Sequence, residues 1–230
     1  MSKPSIDTSL LDNPVWSSLI SHHRHLAVGE GLARRYPSEV SRISAIAEPS
    51  EEAFADLRGL VGPEEVVGVV TAFEVTIPDD WEIVNKTIID QMIFRSTFTM
   101  PDSAPERLTE ADVPEMMAIV EATEPGPFAP GTIRMGEYYG IRSESGGLAA
   151  MTGQRMQTDS FTEISAVCTY PEYRGRGYAK HLMSYVGARI QAEGKTPFLH
   201  VKTDNGARLL YEKLGFELRC PMNLNVITPK

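Results

Sequence analysis

The strongest hydrophobic periodicity in the chain lies between Ala179 and Ile190. Ala179, Leu182, Met183, Val186 and Ile190 fall at i, i+3, i+4, i+7 and i+11 and predict one apolar stripe along a helix. Gly194 stands where a left-handed residue would end that helix. A shorter stripe, Ala207, Leu210, Tyr211 and Leu214, predicts a second helix closed by Gly215. Around these lie apolar runs of strand length: Met135–Arg142 and Leu148–Met156, joined by the glycine turn 143–147, then Phe161–Cys168, Phe198–Thr203, Phe216–Cys220 and Leu224–Ile227, the last two on either side of Pro221. Before them a helix opens at Thr109 or Asp112, with Leu108 and Val113 placed as a hydrophobic staple, and runs to about Ala122. It stops in 123–130, a loop stiffened by Pro125, Gly126, Pro127 and Pro130. The predicted order is helix, three strands, helix, strand, helix, two strands, with one right-handed βαβ crossover at its centre.

Upstream, Ser50–Leu60 reads as a helix, Val66–Phe73 as a buried strand and Trp81–Arg95 as another strand. The stretch 101–105 combines two prolines with small polar residues and reads as an exposed joint, dividing the chain into 1–100 and 101–230. The recognisable chemistry all lies after it.

At 230 residues and 42% hydrophobic content the chain can bury one large core or two small ones. A net charge of -9 argues against a surface for nucleic acid or anionic lipid and makes the cations Arg174, Arg176 and Lys180 a local exception suited to a small anion. Cys168 and Cys220 have no metal-ligand spacing and read as reduced thiols, which implies the cytoplasm. The most apolar short run, Val66–Phe73, is too short to span a bilayer. His22, His23 and His25 have no acidic or cysteine partner at ligand spacing, so they read as a polar turn and no metal is expected. Trp16 and Trp81 read as packing residues.

The candidate chemistry begins where the strand Phe161–Cys168 leads through Thr169–Tyr173 into Arg174, Gly175, Arg176, Gly177, Tyr178 and Ala179, with the long helix following at once. Two glycines let the backbone turn its N–H groups inward, the helix adds its positive end and the arginines add full charge. A polyphosphate is the expected guest. The same glycines could open a dinucleotide-binding pattern, but Lys180 occupies the third glycine position and too little chain remains for a doubly wound sheet.

Arg174, Gly177 and Ala179, followed by Asn205 after the next strand and, six residues on, by Tyr211 in a helix ending at Gly215 and Phe216, resemble the GNAT superfamily of acyl-CoA-dependent N-acyltransferases over roughly residues 105–220. Within it, 170–177 and 210–216 look closest to the glycine-N-acyltransferase-like branch, in which a degenerate N-terminal half precedes the catalytic one. The resemblance implies an α/β (α+β) fold with a mixed, mostly antiparallel twisted sheet, a central βαβ acyl-CoA site and a smaller α/β half before it. It implies that Val167, Cys168 and Thr169 offer a strand edge to the pantetheine arm, and that Gly175, Arg176, Gly177, Tyr178 and Ala179 cradle the pyrophosphate. It further implies that Asn205 meets an amide of the arm and that Tyr211 stands near the sulfur.

The implied reaction is direct attack by a small amine or amino acid on acetyl-CoA, with Tyr211 as acid. Glu163 is nominated as base because strand alternation places it on the face of Ser165 and Val167; a water chain is the alternative. Duller readings stand beside these. Tyr211 could be core packing, Asn205 a helix cap, Glu163 a paired strand residue, Cys168 an inert thiol, and the whole chain a non-catalytic CoA-binding module. A homodimer is compatible with the sequence.

Overall fold

The computed structural model describes residues 6–230. Residues 6–100 hold helix α1 (Pro14–Ile20), strands β1 (Ala33–Arg35) and β2 (Ile43–Ile46), helix α2 (Glu51–Leu60) and strands β3 (Val67–Thr71) and β4 (Trp81–Phe94). Ser50 caps α2 by accepting from the Ala53 N–H, as its position before two glutamates suggests. Beyond the joint come β5 (Glu106–Leu108), α3 (Val113–Thr123), β6 (Tyr138–Arg142), β7 (Leu148–Gln157), β8 (Phe161–Thr169), α4 (Tyr178–Ala192), β9 (Thr196–Lys202), α5 (Arg208–Leu214) and β10 (Phe216–Pro229). Both candidate starts of α3 are used. Thr109 donates its N–H to Asp112 Oδ2 at 2.8 Å around a 3-10 turn, which passes into the α-helix at Val113.

All ten strands form one sheet in the order β1-β2-β3-β10-β4-β9-β8-β7-β6-β5. Only β2–β3 and β8–β9 pair in parallel, so the sheet is mixed and mostly antiparallel. The final segment is one strand where two were expected. β10 pairs with β4 along its length, with a register shift between Leu218 and Cys220, and Pro221 is accommodated because pairing with β3 begins only at Asn223. A proline interrupts a strand only where its missing N–H is needed.

Neighbouring residues assign the faces. Met151 and Cys168 pack with Met116 and Ile119 of α3. Ala150 and Ile164 pack with Leu182, Met183, Val186 and Ile190 of α4, the predicted stripe. The two helices therefore cover opposite sides. Phe98, from the segment before the joint, lies so close over α4 that a Cβ on Gly187 would stand 2.2 Å from its ring. Its ring also stacks on Phe94 at 3.8 Å.

His23, expected in a polar turn, is 1% exposed. Its Nε2–H donates to the Met135 carbonyl at 2.9 Å, which leaves Nδ1 to accept from the Tyr36 hydroxyl at 2.9 Å. Burial, followed by the charge of His22, pushes its pKa down to about 3.

Two outcomes are expected. β4 separates β9 from β10, so residues 101–230 expressed alone lose the strand that joins them and should show no cooperative unfolding transition by circular dichroism; a sharp transition would contradict this. His23 takes up a proton near 6.5 when unfolded but only near 3 when folded. The unfolded state thus binds more protons between these values, and stability should fall as pH drops, by roughly 2 kcal/mol near pH 5 relative to neutral pH. Denaturant melts across that range, with His23→Gln losing most of the slope, measure it.

Candidate active site

The site is opened by a limit on strand pairing. β8 and β9 pair only at Phe161 with Thr196, Thr162 with Pro197 and Glu163 with Phe198. Beyond Glu163 they separate around a cleft of about 550 Å³. Ser165 and Val167 line one wall, His200 and Lys202 the other, and the loop from Glu124 to Phe128 closes one side.

A bulge shapes the β8 wall. Ala166 has φ +51°, and pairing with β7 jumps from Gly153–Ser165 to Met151–Cys168 around it. The extra residue reverses the alternation. Ile164 and Val167 face α4, whereas Ala166 and Cys168 face α3. Val167 is therefore not on the face of Glu163, contrary to strict alternation, because a bulged strand spends one residue without changing sides. Thr169 also lines the cleft, but Cys168 does not. It is 1% exposed, and burial pushes its thiol up to about 11. Cys168 can offer the cleft only its backbone.

The glycine loop lies at the other end. Gly175 and Gly177 have φ of +79° and +82° with no atom within 4 Å of an added Cβ, so backbone conformation and not space requires glycine there. His181 N–H bonds to the Gly177 carbonyl at 3.0 Å, the first turn of α4. The amides preceding it are the free donors of the helix end. Arg174 and Ala179 line the cleft. Arg176, Gly177 and Tyr178 instead line a second cavity of about 470 Å³, together with residues 103–106 and 140–142. Arg176 lies 5.1 Å over the Tyr173 ring, which holds an exposed cation in place.

Asn205 and Tyr211 reach the same cleft. Asn205 Oδ1 accepts from the Ala207 N–H at 2.9 Å, so it shapes the turn into α5 while exposed to the cleft. Tyr211 is 8% exposed, lies edge-on to Phe216, and burial pushes its phenol up to about 12. It keeps its proton at neutral pH.

Glu163 does not suit the role of base. It is 1% exposed, and its carboxylate accepts from Arg155 Nε at 2.8 Å and Nη2 at 2.6 Å, from His200 Nδ1 at 2.9 Å and from the Met156 N–H at 3.3 Å. Burial opposes its charge, yet the Arg155 guanidinium overcomes this and holds the pKa down to about 2. A carboxylate with these partners has no free lone pair for an incoming amine. On the far side of His200, Gln91 Nε2 donates both to the Leu11 carbonyl and to His200 Nε2, each at 3.0 Å, while Gln91 Oε1 accepts from Arg219 at 2.9 Å. His200 is thus held between Glu163 on its Nδ1 side and Gln91 on its Nε2 side. Arg155 and His200 went unnoticed in the sequence; their signal was a charged or titratable residue interrupting an apolar strand run. Glu124, at the left-handed end of α3, is the only carboxylate among the described residues that line the cleft.

Comparison with known proteins bears on the family and the fold. The family described as FR47-like protein matches residues 138–224, from β6 into β10. A crystal structure of a GNAT-family protein from Novosphingobium aromaticivorans is 38% identical, covering 96% of this chain and 98% of that one, with a TM-score of 0.87. The chain belongs to the GNAT family. More distant GNAT folds include a GCN5-related N-acetyltransferase from Kribbella flavida, 17% identical over 99% of this chain and 97% of that one with a TM-score of 0.62. A GCN5-related N-acetyltransferase-like protein from Streptococcus suis is 13% identical over 97% and 95% with a TM-score of 0.59. A search of curated proteins finds no match. Among the described residues no helix is long and apolar enough to cross a membrane, and no cluster of metal-ligand type is found.

Replacing Glu163 by Gln leaves Arg155 buried without its anion. The expected cost is roughly 3 kcal/mol or more, read as a lowered melting temperature at neutral pH; an unchanged melt would show that the pair is dispensable.

Proposed function

We propose that this GNAT protein is an N-acetyltransferase that carries an acetyl group from acetyl-CoA to the primary amine of a small molecule or amino acid in one direct step. The observation that carries the reading is the convergence of the splayed β8 edge, Arg174 and Ala179 at the two ends of the glycine loop, Asn205 and Tyr211 on a single cleft. In this reading the amides from Gly175 to Ala179 receive the pyrophosphate, with Arg174 and Arg176 adding charge. The backbone of Val167, Cys168 and Thr169 pairs with the pantetheine arm as an added strand would, and Asn205 meets one of its amides. The bulge at Ala166 takes backbone groups out of the β7 ladder just where the thioester would lie, which favours a backbone N–H as donor to the carbonyl oxygen.

The amine attacks the carbonyl carbon, the C–S bond breaks, and Tyr211 donates its proton to the leaving sulfur. The amine's own proton passes to water or to Glu124 at the mouth, and Glu163 serves to hold His200 and Arg155 in place. Residues 1–100 form a half that shapes the acceptor side, contributing Ile89 of β4 to the cleft wall. The match of 170–177 and 210–216 supports the glycine-N-acyltransferase-like branch, with the first half a degenerate copy. Two free cysteines support placing the protein in the cytoplasm.

Calorimetry should show acetyl-CoA binding and no NADH binding, and acetyl-CoA with a panel of amines should release thiol. NADH binding without a response to acetyl-CoA would overturn the reading. Tyr211→Phe should preserve acetyl-CoA affinity and melting temperature while lowering turnover on the order of 10²-fold, the scale of a positioned acid. Wild-type turnover in that variant would remove the phenol from the mechanism.

A further inference from the structure

A buried carboxylate beside the cleft has no part in the reaction as described. Asp90 of β4 is 4% exposed and stands between Ile89, which lines the cleft, and Gln91, which holds His200. Alternation along β4 places it on the face of Met92, which packs with Tyr211 of α5. Its Oδ2 accepts from Arg208 Nη1 at 2.5 Å, and its Oδ1 accepts from Thr203 Oγ1 at 3.4 Å. Thr203 follows the last residue of β9 and Arg208 is the first residue of α5, so Asp90 holds both ends of the turn that carries Asn205. Arg208 Nε reaches on to Glu212 at 3.0 Å, one turn along α5, which fixes the guanidinium between sheet and helix. Within the turn the backbone bonds are local: the Asn205 N–H donates to the Lys202 carbonyl at 2.9 Å and the Arg208 N–H to the Asn205 carbonyl at 3.1 Å. Local bonds shape a turn without placing it over the sheet. Leu210 and Leu214 under α5 pack in the same cluster as Tyr211, but apolar contact is non-directional and tolerates sliding. Stability alone does not call for an aspartate at this position, since apolar residues of similar volume often replace a buried ion pair without loss. What the pair adds is a single pose of α5, because any movement of Arg208 away from Asp90 leaves a buried charge unmatched.

We propose that Asp90 is a positioning residue, which through Thr203 and Arg208 sets where Asn205 and Tyr211 stand in the cleft. It touches neither substrate nor the reacting atoms. Its effect passes through Asn205 to the affinity for acetyl-CoA, and through Tyr211 to turnover. A residue of β4, before the joint, thereby tunes the chemistry of a turn and helix that lie after it. This rests on the acyl-transfer reading of the same cleft, but its binding arm can be tested apart from turnover.

Full-length wild type and Asp90→Asn, which keeps the shape and removes the charge, are compared by acetyl-CoA calorimetry, by thiol release at saturating acetyl-CoA and by thermal melting. Asp90→Asn should melt near the wild type, bind acetyl-CoA about fivefold more weakly and turn over on the order of 10-fold more slowly with the best amine of the panel. The same substitution is then made in two further backgrounds. With Tyr211→Phe it should lower turnover no further, and with Asn205→Ala it should weaken acetyl-CoA binding no further, because each effect runs through the residue already removed. A merely structural role would give losses that multiply in both backgrounds, and that result would overturn the proposal. So would wild-type binding and turnover in Asp90→Asn. If Asp90→Asn does not fold, Asp90→Asn combined with Arg208→Gln, which leaves no charge of the pair behind, takes its place in the same comparisons. Failure of both to fold would mark the pair as structural and overturn the proposal. Absence of thiol release from every amine would remove the acyl-transfer reading, and the binding comparison through Asn205 would then decide this inference by itself. Normal thiol release with multiplying losses would leave acyl transfer standing and remove only this inference.

Discussion

The rest of the site depends on the cluster that Glu163 gathers at the fork of the sheet. Glu163 is the last residue at which β8 and β9 pair, and its carboxylate ties Arg155 of β7 and His200 of β9 to β8 at that point. Two parallel strands that separate would expose unpaired backbone and invite further opening. A buried, bidentate ion pair at the branch resists this, because moving either strand would strand a charge in a low-dielectric interior. The cost of burying those charges fixes where the cleft starts.

From that fixed point the polar chain runs on through Gln91 of β4 to Arg219 of β10 and so to Asp12, upstream of α1. It crosses residues 101–105 three times. The two stretches of sequence on either side of residues 101–105 therefore share one sheet and one internal hydrogen-bond network, with β4 of the first lying between β9 and β10 of the second. Cleft geometry on the side that Ile89 of β4 lines is then a property of the whole chain, whereas the glycine loop and α4 are built locally.

That division explains what the sequence could show. The stripe of α4, the φ > 0 requirement at Gly175 and Gly177, the hairpin at 143–147 and the spacing from Asn205 to Tyr211 are contacts between near neighbours, so period and residue type reveal them. The family resemblance rested on these same local features, and the fold it implied is the one observed. Glu163 was legible as a residue of interest, but its role was not. Its partners lie 8 and 37 positions away along the chain, on other strands.

The sequence by itself determined most of the elements, the glycine turn before α4 and the family, because each follows from the conformational limits of a few consecutive residues. The tertiary structure alone decided three things. It merged the last two predicted strands into one by leaving Pro221 unpaired on the β3 side. It turned Val167 away from Glu163 by a bulge at Ala166. It converted a candidate base into a buried anion by placing a guanidinium against it. Register, strand alternation and the charge state of a buried carboxylate depend on which distant side chains arrive beside it, and that is set only when the sheet closes over its core.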